Sequence, residues 1–176
     1  DSEGNFSITL TSALEDGDYS LTTTSVDAAG NTGPESSPIS IAIDTTPPVA
    51  PSALASISSI TNDSTPTITG TAEAGSTVTL FNGTVILGTA TADSEGNFSI
   101  TLTSALEDGD YSLTTTNTDS AGNTSSISSP ISIAIDTTPP VAPTSLANIS
   151  DSNDSTPTIT GTAEPGSTVT LFNGPM

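Results

Sequence analysis

The 176-residue chain is expected to be all-β, built as antiparallel two-sheet sandwiches in tandem, and three observations carry that expectation. Apolar residues alternate with small polar ones along short runs, which puts one face of each run in a core and the other in water. Gly, Asn, Asp and Pro, each suited to turns, separate the runs. The passage DSEGNFSITLTSALEDGDYSLTTT, which opens the chain at Asp1, recurs letter for letter from Asp93, 92 positions later. A period of that size is one small domain.

Linkers divide the chain. DTTPPVAP begins at Asp44 and again at Asp136, and paired prolines fix φ, remove donors and favour extended backbone. Residues 1–44 are then the C-terminal half of one repeat (strands E–G), 45–136 a complete repeat, and 137–176 the N-terminal half of a third (strands A–C). On this reading the chain is a window on a longer array. NDSTPTITGTAE recurs from Asn62 at Asn153, a spacing of 91, so one residue has been lost near SSITND, where a loop absorbs it.

Seven short strands are expected in the complete repeat. The first is weak, in SALASIS from Ser52. STPTITGTA, STVTLF and TVILGTATA follow, then NFSITLTS, in which Phe98, Ile100 and Leu102 alternate with Ser and Thr. DYSLTTTNT is next, and SPISIAID closes the set with Ile131, Ile133 and Ile135. Asn82-Gly83 predicts a two-residue hairpin of type I′, which needs positive φ at both positions. LEDGDYSL sets Tyr19 and Tyr111 two residues after a glycine turn at a strand start, where an immunoglobulin-like sandwich carries its tyrosine corner.

DSAGNTS (Asp119–Ser125), SPISIAIDTTPPVAP (Ser129–Pro143), TGTAEAGSTVTL (Thr69–Leu80) and ADSEGNFS (Ala92–Ser99) stand in a fixed order within the repeat. In this order they resemble the bacterial immunoglobulin-like repeats of giant cell-surface and biofilm-associated adhesins. The resemblance spans essentially the whole chain. It implies a sandwich fold, secretion to the bacterial cell surface, a stalk or adhesive role in tandem arrays, and calcium between repeats.

Charge sharpens the expectation. The chain has no Lys, Arg or His, twenty Asp and Glu, and a formal charge of −20 that no side chain neutralises. Nucleic acid and anionic lipid are excluded as partners, because phosphate binding requires cationic side chains. No apolar run approaches the length of a membrane span. No Cys is present, which removes disulfides and thiol chemistry.

In an immunoglobulin-like sandwich the B–C, D–E and F–G loops lie at the end where the chain arrives. That placement brings Glu73, Asp93 with Glu95, and Asp119 with Asn123 to one end of the complete repeat. Asp44 arrives there as the last residue of the preceding repeat, with Asp16 and Asp18 approaching from its other side. Converging carboxylates without a cation repel, and a hard divalent ion relieves the repulsion. Calcium, which takes about six to eight oxygens including Asn and backbone carbonyls, suits these loops better than magnesium. Zinc is disfavoured without His or Cys. DSEGN lacks the full EF-hand pattern.

The resemblance carries over to Asp44, Glu73 and Asp119, and less directly to Asp93. The second junction offers Asp136, Asp108, Asp110 and Glu164, an incomplete set, and Asp27 and Asn31 lack a preceding repeat to face. The same residues read equally as turn formers, since Asp and Asn bond their own backbone. Both readings stand at this point.

Catalysis is discounted because no His, Lys or Cys is available to activate a nucleophile. Paired carboxylates alone serve glycoside hydrolysis, but here they fall in turns rather than across a groove. A non-enzymatic stalk is expected, with neighbouring repeats as partners and any surface glycan or receptor met through other parts of the protein. The alternative is a calcium-dependent carbohydrate-binding module, disfavoured by the absence of Trp, with Phe81 the one candidate platform. A spacer without calcium is a third reading. The Ser and Thr rows are assigned to the wet sides of strands rather than to a surface-binding array. Finally, strands E–G at one end and A–C at the other complement each other, which predicts head-to-tail association of separate chains.

Overall fold

The computed structural model describes residues 3–55, 60–149 and 152–174. Nine strands and no helix are found among them: β1 (Gly17–Leu21), β2 (Ile39–Ile43), β3 (Ile60–Thr61), β4 (Thr67–Thr71), β5 (Thr77–Asn82), β6 (Val85–Thr91), β7 (Asn97–Thr101), β8 (Gly109–Thr118) and β9 (Ile131–Ile135).

Strands β3–β9 form two layers. One is a five-stranded sheet in the order β3-β9-β8-β5-β6, the other the antiparallel pair β4-β7. The alternation seen in the sequence becomes the packing between them. Phe98 and Ile100 of β7 face Leu113 of β8 and Ile131, Ile133 and Ile135 of β9, together with Ile68, Val78 and Leu80, in one buried cluster. Each large aliphatic side chain so buried contributes about 1.5–3 kcal/mol against exposure.

The first expected strand divides. Ser52 and Ala55 bond to Thr71 and Thr69 of β4, and Ile57 and Ser58 lie outside the described residues. The chain then rejoins the other sheet as β3, which runs parallel to β9. An all-antiparallel arrangement is thereby corrected, because β3 and β9 both run away from the end at which residue 44 arrives.

The hairpin between β5 and β6 also differs from expectation. Asn82 pairs with Val85 as the last ladder rung, so the two-residue loop is Gly83-Thr84. Only Gly83 has positive φ (60°), which fits a type II′ loop with glycine at its first position. A register shift after Leu80 places Phe81 opposite Ile86.

The tyrosine corners are present in both copies. The Tyr19 hydroxyl donates to the Glu15 carbonyl at 2.9 Å, and Tyr111 to Glu107 at 2.9 Å. Each ties the turn before β1 or β8 to its strand. In residues 3–44 the pair β1-β2 repeats the β8-β9 register, with Tyr19 opposite Ile41 as Tyr111 is opposite Ile133.

Candidate functional site

Three loops meet at the end of the sandwich where the chain arrives: 72–76 after β4, 92–96 after β6 and 119–124 after β8. Ala72 donates to the Gly96 carbonyl and Gly75 to that of Ala92, which sets the first two side by side. The third carries the contact to the preceding segment. Asn123 Nδ2 donates to the Asp44 carbonyl at 3.0 Å and to Asp119 Oδ2 at 2.9 Å. One amide nitrogen therefore joins two oxygens that lie 75 residues apart in sequence.

The acids are held by a recurring five-residue loop, Asp-x-x-Gly-Asn. In Asp119–Asn123, Oδ1 of the aspartate accepts from the amides of Ala121 and Asn123. In Asp93–Asn97 it accepts from Glu95 and Asn97, and in Asp27–Asn31 from Ala29 and Asn31. The glycine takes positive φ in all three, 97°, 84° and 86°, and its amide closes onto the aspartate carbonyl. Four residues closing on themselves bring amide hydrogens to the carboxylate, so each acid points into its own turn. The ionised form is favoured accordingly. The Asn123 side chain holds Asp119 below the usual carboxylate range, the Asn97 amide does so for Asp93, and the Asn31 side chain for Asp27.

Of the residues singled out at the first junction, the structure joins Asp44, Asp119 and Asn123 by hydrogen bonds. Asp93 closes its own loop. Glu73 is exposed and lends its carbonyl to Ser76, whose amide and hydroxyl approach at 3.1 and 2.7 Å. At the second junction Glu164 does the same for Ser167, and Asp136 accepts from the Thr138 amide at 3.1 Å. Among the described residues no three Asp or Glu side chains gather as a group able to hold a metal ion. The carboxylates of Asp93 and Asp119 accept instead from amides of their own turns.

A second device was not foreseen. Asp16 accepts from the Thr45 amide (2.9 Å), the Thr45 hydroxyl (2.8 Å) and the Thr46 hydroxyl (2.7 Å). Asp108 repeats the set with Thr137 and Thr138 at 2.9, 2.7 and 2.7 Å. These bonds lower the carboxyl pKa of Asp16, chiefly through Thr46, and that of Asp108, chiefly through Thr137. Each extends a strand pair into the linker through one aspartate side chain, which accepts from a main-chain amide and two hydroxyls. The signal was the constant spacing of 29 between EDGD and DTT in both copies. Pro48 and Pro51 are buried, whereas their counterparts Pro140 and Pro143 are exposed. The first linker is therefore held by the Asp16 bonds at one end and by buried Pro48 and Pro51 at the other.

The sequence pattern of the bacterial Ig-like domain matches residues 1–45 and 51–137. The chain belongs to this family. Solved structures similar to this Ig-like chain include one described as "Biofilm associated protein - BSP domain", 26% identical at TM-score 0.41, covering 72% of this chain and 20% of that one. Fibronectin(III)-like modules of Clostridium thermocellum CbhA are 17% identical at TM-score 0.44, covering 69% of this chain and 64% of theirs. The Ig-like chain thus spans less than two thirds of either. No curated protein sequence matches it. No helix long and apolar enough to cross a membrane occurs among the described residues.

Proposed function

We propose that the chain is a non-enzymatic stalk segment of a large bacterial surface adhesin, in which seven-stranded Ig-like repeats at 45–136 and flanking it are set end to end. The observation that carries this reading is the hydrogen bond from Asn123 to the Asp44 carbonyl, made across a linker whose threonines are held by Asp16 and in which Pro48 and Pro51 are buried. A spacer needs a fixed angle between neighbours, and these contacts supply one. The family supports an Ig-like repeat, and the unbroken acidity suits a secreted surface array that must not collapse on itself.

Calcium stiffens the junction in this proposal. The Asp44 carbonyl and Asp119 Oδ2 share one amide nitrogen, so two hard oxygens face one point. Their chemistry fits the ion, but they fall short of the about six to eight oxygens it takes. Calcium would therefore bind weakly with water, as a modulator rather than a condition of folding. Bound only by the folded state, it raises stability by mass action.

Calcium titration of the full chain, read by small-angle scattering and thermal unfolding, tests both parts. A longer particle with a higher melting temperature supports the ion-stiffened stalk. An extended particle indifferent to millimolar calcium removes the ion and leaves a spacer set by hydrogen bonds. A compact particle with freely reorienting segments refutes the stalk.

A further inference from the structure

The central sandwich leaves a long edge open. In the five-stranded sheet β6 stands last, paired with β5 on one side, and among the described residues no strand pairs with its other side. Just past its end, the Ala92 amide donates to the Ser76 carbonyl and the Ala92 carbonyl accepts from the Gly75 amide, so that residue faces the β5 side. Along an antiparallel strand these directions alternate, which turns the main-chain amides and carbonyls of Thr89 and Thr91 outward. An open row of this kind templates a further strand. The opposite edge of the sheet, β3, has two residues and is too short to do so.

Natural edges are commonly blunted by charge or proline, and β6, VILGTAT, has neither. The register shift after Leu80 adds local twist, which a short segment follows more readily than the rigid edge of a second sandwich. The two ends of the edge differ in chemistry. At one end Phe81 of β5 is paired with Ile86 on one side and with Thr114 of β8 on the other, and Val85 and Ile86 are 60% and 61% exposed. At the other end the edge runs into Asp93 and Glu95, both exposed, in a chain with no cationic side chain to answer them.

We propose that β6 takes up an extended cationic segment of another protein as a further strand of its sheet. The Lys or Arg side chains of that segment lie at the end beside Asp93 and Glu95. A β-branched or aromatic residue at its other end covers Val85 and Ile86 and prolongs the row Thr114, Phe81, Ile86 as cross-strand pairs do. Main-chain bonds to Thr89 and Thr91 supply the affinity, and side chains at alternate positions select the partner. Charge decides the occupant. A second copy of this chain brings another −20 to the contact, whereas a basic segment is drawn to it. In an array set end to end, as proposed above, the flanking repeats cover the ends of the sandwich and leave this flank free. Binding at β6 is read within the central repeat, so its failure leaves the stalk reading untouched.

The test is an NMR titration of the full, isotopically labelled chain with a capped peptide in which lysine alternates with threonine through one half and valine alternates with threonine through the other. The Thr89 and Thr91 amides should shift and gain protection from hydrogen exchange. Thr89→Pro removes an outward amide, a place where an edge strand tolerates proline, and should weaken binding roughly fivefold or more. Ile86→Lys changes an exposed side chain that the valines would cover and should weaken it as well. Circular dichroism checks that the sandwich survives in both variants.

Two further peptides separate strand addition from attraction of charge alone. With glutamate in place of lysine, binding should be lost. With lysine kept and proline in place of threonine, the peptide has the charge but lacks the amides of a strand, and binding should again be lost. No shift of the β6 amides at millimolar peptide, equal binding of the proline-bearing peptide, or binding unchanged in both variants would each overturn the proposal. So would β6 shifts that grow with chain concentration in the absence of peptide, which would make a second copy the occupant.

Discussion

Replacing Asn123 with Ala removes the bond from Nδ2 to the Asp44 carbonyl, 3.0 Å long, while keeping the backbone of the Asp119–Asn123 loop. A neutral bond of this kind is worth about 0.5–1.5 kcal/mol net. A loss near 1 kcal/mol corresponds to roughly a fivefold fall in the ratio of docked to undocked junctions. The substitution also removes the local bond to Asp119, so a control is needed, and the sequence supplies one. Asn31 makes the equivalent local bond to Asp27 at 2.8 Å in the leading segment. Asn31→Ala therefore reports the local effect without the junction.

Residual dipolar couplings measured on both segments give their relative order, and chemical denaturation gives stability. Asn123→Ala should lower the inter-segment order markedly and Asn31→Ala should leave it unchanged. Asn123→Asp, equal in size but lacking the donor and adding a charge beside Asp119, should loosen the junction further, and calcium should partly restore it. Equal effects of the two alanine substitutions on inter-segment order would refute the reasoning, because the junction would then owe nothing to that nitrogen.

Further outcomes follow from the same geometry. Tyr111→Phe deletes the bond to Glu107 and should cost about 1 kcal/mol, read as a melting shift of about 4–8 °C. Gly70→Ala puts a Cβ 2.7 Å from Leu54 Cδ2 and 2.9 Å from the Ser52 carbonyl oxygen. It should destabilise by about 1–3 kcal/mol in a denaturant titration. Thr115→Val removes a buried hydroxyl that has no partner and should be neutral or stabilising by about 1 kcal/mol in the same assay. Asp119 is held below its usual pKa when folded, so its contribution is present above the unfolded value and lost as pH falls through the folded one. The stability gap between the unaltered chain and Asp119→Asn should be constant above about pH 5 and shrink from about pH 4 downward.

Strand positions were legible because period-two alternation marks β7, β8 and β9, whose buried faces are apolar except for Thr115 and Asn117 of β8. The tyrosine corners were legible because spacing fixes them: a hydroxyl at Tyr111 reaches four residues back to a carbonyl that the turn leaves in place. The hairpin type was not, since the shift in pairing after Leu80 lets Asn82 pair with Val85 and leaves Gly83-Thr84, not Asn82-Gly83, as the two-residue loop. The map of acids placed the 72–76, 92–96 and 119–124 loops at one end, but it did not show that Asp93 and Asp119 accept from amides of their own turns, because an Asp at the start of Asp-x-x-Gly-Asn finds donors within four residues. The threonine clamp was not legible because Asp16 and its partners Thr45 and Thr46 lie 29 and 30 residues apart and follow no strand or turn pattern.

The parallel pairing of β3 with β9 bears on what a tether experiences. These short strands are among the first and last of the central sandwich, and Ile60 with Thr61 lies alongside Ala134 with Ile135. Tension applied at the two linkers drags them past each other lengthwise, so their bonds, with that from the Asp136 amide to Thr61, must yield together. A pair unzipped from its end would surrender them singly. Force applied across the repeat thus meets a bolt loaded crosswise, placed where the traction first reaches the module.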